Sequence, residues 1–188
     1  MRTIGDIDFL DDGEVRQELL WLSGLLIVVA LAGGFGLGLA GAFGAGEQAR
    51  LGGGAGGWAL WVLVVIATSV VVLPVHELVH AALFVLFGGP GTRVRFGFQD
   101  GMLFAGCPGL VLARPKFCVV LAGPAVVLSA VLLMVPAALG LPLAGYVAFA
   151  LHLSGCSGDL LAFVRALREP ACTHVEDTDS GVRLLSRS

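Results

Sequence analysis

"VVVLPVHELVHAALFVLFGG", residues 70–89, reads as the end of a membrane span, yet it carries His76, Glu77 and His80. An ionisable side chain at the centre of a bilayer costs about 2.5–3.5 kcal/mol, so such groups normally face protein or water and mark a function. The spacing His76-Glu77-x-x-His80 is the HExxH pattern. On a helix, positions i and i+4 lie about 40° apart in azimuth and about 6 Å along the axis. Both imidazoles can therefore bind one Zn²⁺, while Glu77 flanks them, placed to take a proton from the water held there. The competing reading is a polar network without metal, which would leave a costly His-Glu-His set in hydrocarbon.

The composition places that helix in lipid. The chain has 188 residues, of which 57% are hydrophobic and only 13% charged, and its mean hydropathy is +0.93. A soluble domain carries about 25% charged residues. Four apolar stretches are long enough to span a bilayer, which takes about 20 residues: Leu19–Phe43, Trp58–Phe87, Phe117–Leu139 and Leu143–Phe163. The expected fold is therefore an all-α membrane protein with four transmembrane helices. Residues 1–18 read as a cytoplasmic N-tail, 19–167 as a membrane metalloprotease-like domain and 168–188 as a cytoplasmic C-tail. The opening "MRTIGDIDFLDDGEVRQ" is acidic and polar, unlike a cleaved signal peptide. A net charge of −3 offers no basic surface, which argues against a nucleic-acid partner.

Orientation follows from Lys and Arg. The N-tail has Arg2 and Arg16; the loop between spans two and three has Arg93, Arg95, Arg114 and Lys116; Arg165, Arg168, Arg183 and Arg187 close the chain. Only Arg50 falls in the other loops, so both termini are expected on the cytoplasmic side of the cell membrane. In the first span, Gly34 and Gly38 form a GxxxG step that lets helices approach closely, within the chain or across a dimer seam. Between spans two and three, Val94, Phe96 and Phe98 alternate with Arg93, Arg95 and Gly97. That two-residue period, the Asp100-Gly101 turn and a return strand from Met102 to Ala105 predict an amphipathic β-hairpin over about 92–107 at the membrane surface. Phe96, Phe98 and Leu103 would then offer a strand edge to an extended substrate.

Spans one and three carry no ionisable side chain apart from cysteine thiols. Span two has His76, Glu77 and His80, and span four has His152 and Asp159. A catalytic zinc needs a third protein ligand and an open position for water. His80 and Asp159 lie roughly 12 Å and 10 Å from the cytoplasmic ends of their spans, and His76 and His152 roughly 18 Å and 21 Å. Depth therefore leaves both Asp159 and His152 in reach of a shared metal. Cys107, Cys118, Cys156 and Cys172 form no CxxC pair and read as small apolar packing residues. His174, in the polar C-tail, reads as solvated.

The HExxH helix, "LAGP" at Leu121–Pro124 and the late "SGCSGDLLAF" at 154–163 resemble the site-2 protease superfamily of intramembrane zinc metalloproteases. The nearest resemblance is to a family of small bacterial and archaeal membrane proteins described as zincin peptidases, and it covers residues 58 to 165. The resemblance implies a Zn²⁺ cofactor, His76, His80 and Asp159 as its ligands, and Glu77 as general base. In the larger relatives an Asp that follows a short loop or helix break supplies the third ligand. His152 then becomes a neighbour that supports the ligands, a substrate-side group or a hydrogen-bonded core histidine. The chain departs from the larger relatives in reading Gly-Asp-Leu at 158–160, in Val127, and in having no PDZ module.

The expected activity is hydrolysis of peptide bonds in membrane-protein substrates near the cytoplasmic face. Two other classes compete: an intramembrane metal-binding transporter or sensor, which would tolerate Glu77→Gln, and a non-catalytic scaffold, against which the intact HExxH argues.

Overall fold

The computed structural model describes residues 1–44, 46–99 and 102–187. Strand β1 (Arg2–Asp8) opens the chain, followed by helix α1 (Gly13–Leu39), one turn of α2 (Glu47–Arg50) and the long α3 (Gly54–Gly88). Three short strands come next, β2 (Arg95–Gln99), β3 (Met102–Gly106) and β4 (Val111–Ala113). Helices α4 (Arg114–Ala138), α5 (Pro142–Gly155) and α6 (Ser157–Arg168) then precede β5 (His174–Asp177) and β6 (Gly181–Ser186).

Three helices, α1, α3 and α4, are long and apolar enough to cross a membrane. A fourth crossing is available if α5 and α6 count as one span, but they meet at an angle of 54°. The break falls at Cys156, between Gly155 and Ser157, where the sequence alone reads one uninterrupted stretch. Helix starts follow ordinary chemistry. The Asp12 side chain caps α1 by accepting from the amides of Glu14 and Val15 at 2.8 Å and 3.2 Å. Pro115 and Pro142 sit in the first turns of α4 and α5, where their missing N–H costs nothing. Helix α3 runs 35 residues through Pro74, longer than a bilayer requires.

Helix α4 is the central one: 39% of its most apolar window is buried, against 6% for α1 and 11% for α3. Close approach is built from small residues. A Cβ on Gly123 would lie 2.3 Å from the Leu83 side chain of α3, and one on Gly145 would lie 2.5 Å from the Leu132 carbonyl of α4. In α1, Gly34 receives the Tyr146 ring of α5, whose hydroxyl donates to the Ala30 carbonyl at 2.6 Å, while Gly38 has Phe43 as its nearest neighbour. Away from the sheet, Glu47 is buried and its carboxylate accepts from the amides of Leu143 and Ala144 and from Trp61 Nε1. It thereby caps α5 and holds α2 against α3.

The all-α expectation misses a four-stranded antiparallel sheet in the order β1-β6-β5-β4. The stretches read as tails supply three of its strands. Arg2 pairs with Ser186 and Asp8 with Gly181, while β4 pairs Leu112 with Val175. Each strand is only three to seven residues long, and partners that stand at opposite ends of the chain leave no local signature. Ile7, Val175, Val182 and Leu184 on the sheet join Val15, Phe84, Phe117, Val120, Ala162 and Ala166 on the helices in one buried cluster. A smaller cluster, Val72, Leu128, Leu132 and Ala148, packs deeper among the helices. Separately, β2 and β3 pair with each other, Phe98 opposite Leu103 and Phe96 opposite Ala105. The Phe104 ring covers Gly97, and the Asp100-Gly101 turn lies outside the described residues.

One side chain ties the sheet to the loop before β4. Asp177 donates its amide to the Leu110 carbonyl at 3.0 Å, accepts from the Gly109 amide at 2.8 Å, and its carboxylate accepts from the buried Cys107 amide. Burial pushes the Asp177 carboxyl up to about 6, with the Cys107 hydrogen bond opposing that shift. A carboxyl raised in the folded state stabilises the fold fully below its unfolded value near 3.8, and that contribution is lost as pH rises through about 6. The thermal midpoint of the detergent-solubilised protein is therefore expected to fall between pH 4 and about 6, and Asp177→Asn to flatten that slope. An unchanged slope in the variant would remove Asp177 as its source.

Candidate metal centre

The site lies between the two buried clusters, where α3 crosses α4 and the α5–α6 break. His76 and His80 share one face of α3, as the four-residue spacing requires, with ring centroids 4.8 Å apart. Their Nε2 atoms stand 3.0 Å from each other. Asp159, in the first turn of α6, brings Oδ2 to 3.0 Å from His76 Nε2 and 3.2 Å from His80 Nε2. The side chains of His76, His80 and Asp159 are 12%, 8% and 21% exposed, so the centre is mostly closed but reachable beside Asp159.

Either protons or a metal ion can join the three atoms of this triangle. His80 Nδ1 is 3.1 Å from the Val120 carbonyl, which can only accept, so the ring proton sits on Nδ1 and Nε2 presents a lone pair. In that neutral form the lone pair points at a carboxylate oxygen and at a second imidazole nitrogen, the arrangement in which one metal cation would serve all three atoms. A tetrahedral centre with bonds of about 2.0–2.1 Å sets its nitrogen and oxygen donors about 3.3 Å apart. The three observed separations are within about 0.3 Å of that value, so the residues present fit Zn²⁺.

The carbonyl that orients His80 is itself explained by sequence. In a helix the Val120 carbonyl would accept from the amide of residue 124, which is Pro124 and has no N–H. Pro124 thus frees the Val120 carbonyl inside α4, and His80 takes the vacant place. The partner of a metal-ligating imidazole commonly has this role, fixing tautomer and ring plane. Reading "LAGP" as a motif locates Pro124 but leaves its carbonyl partner unnamed. Counting four residues back from a buried proline finds it.

His152 stands on the other side of His76. Its Nε2 is 3.1 Å from His76 Nδ1, across the ring from the nitrogen that faces Asp159 and His80. Of the two candidates that depth leaves open, Asp159 joins the triangle and His152 backs one of its corners. Glu77 is partly buried, and its carboxylate lies by the backbone amide of Ala105 in β3, which brings the strand pair beside the centre. Phe96, Phe98 and Leu103 are exposed by 56%, 70% and 42%. Gly155 and Gly158 flank the break, and a Cβ on either would meet nothing within 4 Å. His174 belongs to β5, with Nδ1 3.0 Å from Thr173 Oγ1, and takes no part in the centre.

A family model described as "Putative zincin peptidase" matches residues 69–174, more than half of the chain. The chain belongs to that family. The matched segment runs from the middle of α3 into β5 and contains His76, Glu77, His80, His152 and Asp159. Membership makes zinc the implied metal of this zincin peptidase, in agreement with the His and Asp donors that converge at the centre. No curated protein and no solved structure matches the chain.

Zinc content by atomic emission is expected near one ion per chain at low free zinc, and to be lost in His80→Ala and Asp159→Ala. Pro124→Ala restores a helical amide that competes for the Val120 carbonyl, so zinc affinity should fall about 10-fold, at the low end for loss of a supporting contact. Full affinity in Pro124→Ala would show that the Val120 carbonyl does not hold His80.

Proposed function

We propose that the protein is an intramembrane zinc metallopeptidase, akin to site-2 proteases, that hydrolyses peptide bonds of membrane-protein substrates near the cytoplasmic face. His76, His80 and Asp159 hold the metal and Glu77 is the general base. The observation that carries this reading is the convergence of His76 Nε2, His80 Nε2 and Asp159 Oδ2 within 3.0–3.2 Å, from helices otherwise built to lie in lipid. When bound, Zn²⁺ polarises the scissile carbonyl and lowers the pKa of an attacking water to about 7.

The chain's own residues supply the rest. Glu77, next in sequence to a ligand, takes a proton from the attacking water and passes it to the leaving amine. His80, held by the Val120 carbonyl, and His76, backed by His152, keep their Nε2 lone pairs on the centre. Burial of the centre by α4 and the α5–α6 break limits bulk water around the reacting groups. A helical substrate must unwind before its carbonyl is accessible, and the exposed Phe96, Phe98 and Leu103 of the β2–β3 pair receive the extended segment. The distribution of Lys and Arg sets the four crossings with both termini and the sheet in the cytoplasm.

In proteoliposomes carrying a panel of labelled single-span peptides, Glu77→Gln should keep its zinc and lower cleavage about 10²–10⁴-fold, the usual weight of a general base. Equal cleavage by Glu77→Gln and wild type would rule out Glu77 as base. Zinc-dependent metal flux or signalling without any cleavage would favour a transporter or sensor instead. Replacing Phe96, Phe98 and Leu103 together by Ser is expected to leave zinc content intact and to slow cleavage. Undiminished turnover in that variant would place substrate binding elsewhere.

A further inference from the structure

Behind the proposed catalytic centre lies a second set of metal donors. Cys156, at the break between α5 and α6, is 1% exposed, and His152 is 8% exposed. Cys156 Sγ is 3.7 Å from His152 Nε2 and 3.9 Å from His76 Nδ1, and those two nitrogens are 3.1 Å apart. A tetrahedral ion bound at about 2.0–2.1 Å by nitrogen and about 2.3 Å by sulfur would set nitrogens about 3.3 Å apart and nitrogen from sulfur about 3.6 Å. All three separations are within about 0.3 Å of those values. His152 Nδ1 is buried and has no hydrogen-bond partner among the described residues. With His76 Nε2 turned to the front centre, His76 Nδ1 carries that ring's proton and His152 Nε2 accepts it, so His152 Nε2 is a lone-pair donor. Two imidazoles and a thiolate form a softer donor set than the two imidazoles and carboxylate in front, and soft ligands select thiophilic ions.

We propose that His76 Nδ1, His152 Nε2 and Cys156 Sγ form a second metal site, for a thiophilic divalent ion such as Cd²⁺ or excess Zn²⁺, coupled to the first through the two nitrogens of His76. The site rests on these donors and not on the peptidase reading. Binding releases two protons to solvent, one from the Cys156 thiol and one from His76 Nδ1, as the Sγ–metal and Nδ1–metal bonds form. The thiol proton in the metal-free state is spent on the His152 carbonyl at 3.3 Å, a contact given up when the thiol ionises, with Sγ left in place. With both sites filled, His76 becomes a bridging imidazolate, so each ion weakens the other. An ion in the rear site therefore loosens the hold on the front one.

The test is cadmium titration of metal-stripped full-length protein in detergent, read by metal content and by the ultraviolet thiolate-to-cadmium charge-transfer band. Wild type is expected to take up two ions per chain and to develop the band. Cys156→Ser should take up one ion and lose the band, and His152→Asn should do the same with the thiol still present, which covers a serine variant that fails to fold. Asp159→Ala should lose the other ion and keep the band; if it instead keeps both ions, the front centre is misassigned while the rear one stands. One ion and no band in wild type, or a band that survives Cys156→Ser, would overturn the proposal.

Discussion

His80 donates to the Val120 carbonyl, which Pro124, having no amide, leaves without its helical partner. This interaction sets which nitrogen of His80 faces Asp159 and how α3 sits against α4. A free carbonyl in hydrocarbon would be costly, and a free imidazole N–H equally so. Each satisfies the other, and the pair joins the two helices at the level of the metal donors. Gly123, one residue before the proline, lets Leu83 of α3 come close enough for the bond to form. Once α3 and α4 are so joined, the break at Cys156 has only to deliver Asp159 from the third direction.

Apolar composition supplies the general fold and very little of the specificity. Apolar helices gain nothing from water by associating inside a bilayer, so packing and polar contacts decide how they meet. Among the described residues the polar contacts between these helices include the His-Asp centre, the Tyr146 hydroxyl on the Ala30 carbonyl, and Glu47 with the first turn of α5. Between them, small residues and the Tyr146 ring against Gly34 set the spacing. The larger buried cluster forms near the sheet, where β5, β6 and β1 bring valine, leucine and isoleucine to the helix ends.

Much of the site was legible from residue types and spacing, because the two histidines need only one helix to bring them together and lipid depth makes an idle ionisable group costly. Asp159 was legible only through the resemblance, since its distance from the centre depends on a 54° bend that no propensity announces. Gly155 and Gly158 read as loosening the span around Asp159, while Cys156 and Ser157 read as packing residues, and neither reading fixes an angle. The three long apolar helices lie within about six residues of the stretches that hydropathy marks, and the fourth stretch is a bent pair. The terminal sheet was missed because seven residues at one end and six at the other gain their strand character from each other, and pairing over that separation leaves no periodicity in either. Glu47, an isolated acid in a glycine-rich loop, gave no sign that it would be buried against the amides of α5.

The pairing of β1 with β6 also sets an order of assembly. Strand β1 waits for β6, and β4 waits for β5 in the same way. Until residues 181–186 have been made, β1 is an open edge at the membrane surface and Asp177 has not yet tied down the loop that follows β3. The floor beside Glu77 is therefore closed only once β5 and β6 have joined the sheet and Asp177 has taken the Cys107 amide.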